Sequence, residues 1–172
     1  MKVTSDEIFE RALIRANRAM WAIDLQVRRL RGQEPADGDF LEREADFEFL
    51  VVATSRLRRA AYLAQSVPET KKQITRAVRL FDTRLPGLKK LRDIAEHIDE
   101  YSVDRGKDSS VPRRYLENRM FTNSGQTWTW LGASINTEDA LGAANELYCA
   151  IKAARDTLTN QAMYLSRGSA AS

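Results

Sequence analysis

At 172 residues, with 43% hydrophobic and 30% charged side chains, the chain has the make-up of one globular domain rather than of a disordered or membrane-embedded protein. A net charge of +3, from 27 basic and 24 acidic residues, points to local basic clusters and excludes an overall polycation. The longest apolar run, Phe49 to Ala53, is far too short for a membrane span. The Met-Lys-Val-Thr-Ser-Asp-Glu start lacks a signal-peptide core, and the single cysteine rules out an internal disulfide framework, so a cytoplasmic location is expected.

Thr4 and Glu7 have the spacing of a capping box. After them Phe9, Leu13, Ala16, Met20, Ile23, Val27 and Leu30 recur at alternating four- and three-residue intervals, which predicts a long helix packed lengthwise in an intramolecular bundle. Gly32 to Gly38 is turn chemistry. Asp39 and Glu42 repeat the capping spacing and open a second helix to about Ser66, with Phe47, Leu50, Val51, Leu57, Ala61 and Ala64 in the core. Phe40, Phe49 and Val52 widen its apolar face and suggest contact with another subunit. Beyond Val67-Pro68, a third helix to about Leu85 is anchored by Ile74, Val78 and Phe81. Pro86-Gly87 opens a fourth, predicted to run unbroken to Tyr101 along the stripe Leu88, Leu91, Ile94, Ala95, Ile98 and Tyr101.

From Val103 to Asn118 the sequence is polar and without period, and reads as a mobile loop. Arg119–Thr122 and Thr127–Leu131 flank Asn123-Ser124-Gly125-Gln126 and predict a β-hairpin, with Trp128 and Trp130 on one face as packing residues. The last helix is expected to begin near Asn136, with Leu141, Ala144, Leu147, Tyr148, Ile151, Ala154 and Leu158 on its buried side and Cys149 as a small buried residue. The expected fold is therefore all-α, an up-and-down bundle of about five helices with a small β-hairpin before the last one. It forms one domain over residues 1–165, followed by a flexible tail, 166–172.

One histidine and one cysteine cannot furnish an ordinary zinc site, and neither a Gly-rich phosphate loop nor a nucleophile elbow is present, so no metal or cofactor is expected. What remains is Arg92-Asp93-Ile94-Ala95-Glu96-His97. Histidine moves protons near neutrality, arginine forks onto phosphate oxygens, and Asp93, one turn before His97, is placed to orient the imidazole. On a regular helix Arg92 and His97 stand about 140° apart, so one straight helix does not aim both at a single group. Either the helix is distorted there or a second subunit completes the site. Basic clusters at Arg28-Arg29, Arg56 with Arg58-Arg59, Lys71-Lys72, Lys89-Lys90 and Arg113-Arg114 add a capacity for phosphate.

This segment resembles the signature of the HEPN (higher eukaryotes and prokaryotes nucleotide-binding) domain family: an arginine, a polar residue, several variable residues and a histidine, here Arg92, Asp93 and His97. The order of elements is also similar, with two long helices, a shorter one, the motif helix, an irregular stretch and a closing helix; the hairpin departs from the simplest bundle. The resemblance implies an all-helical homodimer acting as a metal-independent endoribonuclease in a toxin or defence setting. Its substrate would be RNA, with His97 as general base or acid and Arg92 as phosphate clamp, and an antitoxin-like protein would be a further partner. Two other readings of the residues stand beside it. One is a non-catalytic helical interaction module, antitoxin-like or adaptor, that uses the wide face of the second helix and the Trp hairpin. The other is a nucleic-acid binder without chemistry that uses the Arg56 and Lys89 clusters.

Overall fold

Helix formation begins at the capping box. The Glu7 amide donates to Thr4 Oγ1 at 3.2 Å, and the Thr4 amide donates to Glu7 Oε2 at 2.9 Å, so two amides at the helix start are satisfied reciprocally. In this computed structural model, which describes residues 3–32, 40–122 and 126–169, the described residues form six α-helices, a single 3-10 turn at Arg113–Tyr115 and three strands. The helices and strands are α1 (Ser5–Leu30), α2 (Phe40–Gln65), α3 (Lys71–Arg84), α4 (Leu88–Glu96), α5 (Ile98–Ser102), β1 (Arg119–Thr122), β2 (Thr127–Trp130), β3 (Ala133–Asn136) and α6 (Thr137–Ser169). The capping role expected of Asp39 lies outside the described residues. Helix α1 packs along α2 and also along α6, and α3 packs on α6 and α2. The core they share is built from the residues the periodicity selects, among them Phe9, Ile23, Val27, Leu50, Leu57, Ile74, Phe81, Leu147 and Ile151.

Between α5 and α6 the chain makes a three-stranded antiparallel sheet, not the two-stranded hairpin expected. Trp130 is followed by Leu131 and Gly132 with φ of 52° and 75°, the two positive values of a type I′ turn, and β3 then pairs with β2. Both tryptophans of β2 are core residues. Trp128 lies flat on Phe47 of α2, with ring centroids 4.7 Å apart and planes 5° from parallel. Trp130 Nε1 donates to the Leu116 carbonyl at 2.8 Å, while the Arg119 guanidinium covers its ring at 4.7 Å. Arg119 is held in turn by Glu44 and Glu48 of α2.

Two further expectations change. The fourth helix is broken: His97, at φ −127° and ψ 29°, leaves the helical region, and its amide bonds to Ile94 three residues back before the short α5 resumes. Cys149 is exposed, because Leu147 and Ile151 take the buried face and a residue midway between them points about 200° away from each. Helix α6 runs to Ser169, and 170–172 lie outside the described residues. Its start is capped by Asn136, whose side-chain oxygen accepts from the Glu138 and Asp139 amides.

Candidate active site

The Pro86-Gly87 step fixes where α4 begins. A methyl group on Gly87 would stand 3.0 Å from the Ala133 side chain and 3.4 Å from the Ser134 carbonyl, so the absent side chain is what lets β3 lie against the start of α4. From there Leu88, Leu91 and Ile94 bury one side of the helix, and Arg92, Asp93 and Glu96 are left at its more open flank.

The break at His97 opens a cleft of about 550 Å³ between α4, α5 and the segment after Ser102. Arg92, Asp93 and His97 all line it, together with Lys89, Lys90, Glu100, Lys107 and Asp108. Four fixed cations thus face three carboxylates, leaving the cleft slightly basic. The His97 side chain is 41% exposed and that of Arg92 28%, so neither is buried in packing nor fully in solvent.

The carboxylates sort differently from the sequence expectation. Asp93 pairs with Arg92 Nη2, and Glu96 Oε2 lies 3.3 Å from Arg92 Nε, in ion-pair range without hydrogen-bond alignment. The carboxylate on the imidazole is Glu100, with Oε1 3.1 Å from His97 Nδ1. Asp93, placed in the sequence as the group orienting His97, orients Arg92 instead. The short reach from one residue to the next satisfies its charge, and the helix break brings Glu100, three residues on, beneath the ring. A carboxylate accepts only, so in the neutral imidazole this contact puts the ring proton on Nδ1. Among the described residues Nε2 has no partner, and neither has Arg92 Nη1.

The segment after Ser102 is irregular, as expected, but tied down. The Asp104 amide bonds to the Tyr101 carbonyl, and the Arg105 amide to that of Glu100 at 2.8 Å. Gly106 lies flat on the buried Tyr101 ring, where an added Cβ would be 2.1 Å from Cδ1. The Asp108 amide donates to Tyr101 Oη at 3.2 Å. Asp108 in turn accepts from the Ser110 hydroxyl and amide, which, with Lys90 adding a smaller attraction, hold its carboxyl below the ordinary aspartate range. Lys107 and Asp108 are in this way held at the cleft, and nothing in the local sequence pattern marks them for it. Glu100 had a signal, its three-residue spacing from the histidine.

A smaller recess of about 200 Å³ adjoins the cleft and shares Lys89 and Arg92 with it. Arg58 and Arg59 of α2 stand there. Arg58 forks onto Asp82 through two 2.6 Å bonds that keep its guanidinium more firmly protonated than usual, and Arg59 Nη2 reaches Glu96 at 3.3 Å. Glu96 therefore bridges Arg59 and Arg92. An imidazole with one nitrogen fixed and the other free, beside a guanidinium with donors to spare, can exchange a proton next to a bound oxyanion. Comparison with family models, with curated proteins and with solved structures found no match to this chain.

Proposed function

We propose that the chain is an HEPN-like, metal-independent endoribonuclease of the toxin or phage-defence type, working as a homodimer in the cytoplasm. The observation that carries this reading is that Arg92 and His97, about 140° apart on an unbroken helix, line one open cleft beside a break in that helix. His97 Nε2 takes the proton of a ribose 2′-hydroxyl. The 2′-oxygen bonds to the adjacent phosphorus as the bond to the 5′-oxygen breaks, leaving a cyclic phosphate and a 5′-hydroxyl. The departing oxygen needs a proton, and one histidine per chain makes the partner subunit's His97 its source. Arg92, held by Asp93, stabilises the charge gathering on the phosphate, and Glu100 holds the imidazole in the tautomer that leaves Nε2 free. The test incubates purified protein with RNA in the presence of a chelator and compares wild type with His97→Ala. Cleavage by the first and loss in the second is expected; equal cleavage, or none by either, removes the assignment.

A second reading is favoured by the exposure of Leu41 and Phe49 on α2 and by Trp21 of α1, 82% exposed. A non-catalytic helical interaction module, antitoxin-like or adaptor, would use these side chains to hold a protein partner. It predicts that replacing Phe49 breaks a complex while His97→Ala leaves it intact.

A further inference from the structure

A third recess, a trough of about 310 Å³ between α1 and α2, is rimmed by Arg15 and Arg18 on one helix and by Arg56 and Arg59 on the other, over a floor that includes Ala19 and Ala60. We infer that this trough carries the phosphate backbone of a single-stranded RNA on its way to the His97 cleft; the inference rests on the ribonuclease reading and gives its substrate a path.

Three observations support the path. No carboxylate lines the trough, and among the described residues Arg15, Arg18 and Arg56 have no ion-pair partner; Arg76 and Arg79 of α3 share that state, but in the trough three such side chains line one recess. The three guanidinium groups without a carboxylate partner, with Arg59 beside them already on Glu96, make the trough positive, and a polyanion laid along it offsets that charge. Their spacing is also ordered. Arg15 with Arg18, and Arg56 with Arg59, are three residues apart, so each pair shares a side of its helix, and small alanines at the floor bring the two rows of forks close. Finally the three recesses adjoin through shared arginines. Arg59 lines both the trough and the middle recess, and Arg92 lines both the middle recess and the His97 cleft. A track that turns through three recesses suits a flexible single strand, since duplexes resist bending over such short lengths.

The experiment measures anisotropy of a labelled oligouridylate on the full-length His97→Ala protein over a series of KCl concentrations. It is repeated with R15Q, R18Q and R56Q added together, and, as a control, with R76Q and R79Q of the exposed face of α3. All five arginines are exposed, so folding is retained, and circular dichroism verifies it. Losing three phosphate contacts should weaken binding and make the slope of log K against log salt shallower by about 2, at about 0.7 per contact for single strands. The control should keep the parent slope. No binding by the parent, an unchanged slope in the triple variant, an equal change in the control, or equally strong competition by polyglutamate would each overturn the path. Cleavage assays on the His97-containing protein separate the two claims. A slope that falls while cleavage ignores His97 keeps the path and removes the chemistry; His97-dependent cleavage with an unmoved slope does the reverse.

Discussion

Glu100 Oε1 lies 3.1 Å from His97 Nδ1, across the break that separates α4 from α5. Because the chain has a single histidine, its ring can be followed without ambiguity. In long-range proton–nitrogen spectra of the neutral ring the proton should sit on Nδ1. In Glu100→Ala the Nε2-protonated form should gain. With both side chains about two-fifths exposed the contact contributes up to about 1 kcal/mol, so RNA cleavage in that variant should fall by roughly 2- to 5-fold. An Nε2-protonated ring in the wild type would show that Glu100 does not set the tautomer.

Gly106→Ala tests the strap that brings Lys107 and Asp108 to the cleft. The new methyl group would collide with the Tyr101 ring, and relief requires moving either the ring or the strap. Overpacking of this kind costs about 1–3 kcal/mol, read as a lower urea midpoint. Tyr101→Phe removes only the bond from the Asp108 amide and should cost about 1 kcal/mol. Equal stability of both variants and wild type would mean the strap is not anchored there.

The stack of Trp128 on Phe47 joins the sheet to the bundle. A double-mutant cycle with Phe47→Leu and Trp128→Leu should return a coupling of about 0.5–1.5 kcal/mol beyond the separate losses. Simple additivity would indicate that the two rings do not meet.

Thr4→Ala should lower stability by about 1 kcal/mol near neutral pH. Its pH dependence follows from Glu7, whose carboxyl lies below its ordinary value chiefly because of the Thr4 amide, then the Thr4 hydroxyl. A depressed carboxyl stabilises the fold above the unfolded value and loses that contribution as pH falls through the folded one. The variant keeps the Thr4 amide and loses only the hydroxyl, so the gap between wild type and variant should narrow only slightly in acid; a gap that widens would contradict the hydroxyl's bond to Glu7.

The helices were readable because burial imposes its period on them: Phe9, Ile23, Leu57, Ile74 and Ile151 all lie where the apolar spacing puts them. What escaped was decided by a few residues against local preference. Leu131 occupies a positive-φ turn position that Asn or Gly would announce, so the local sequence does not signal the turn into β3. The stripe from Leu88 to Tyr101 has no Gly or Pro at its centre, so the break at His97 had no local mark beyond the geometric conflict between Arg92 and His97. Within the candidate site, Arg92, Asp93 and His97 were legible as a motif. Glu100, Lys107 and Asp108 depend on that break and on the way Gly106 settles over Tyr101.

The place where β3 meets Gly87 has one more consequence. That strand is the bearing on which the arginine–histidine segment rests, and the indole of its neighbour β2 bolts the sheet to the second helix. Anyone trimming the chain to a minimal helical scaffold would discard the bearing as ornament, and the alignment of the segment would be lost with it.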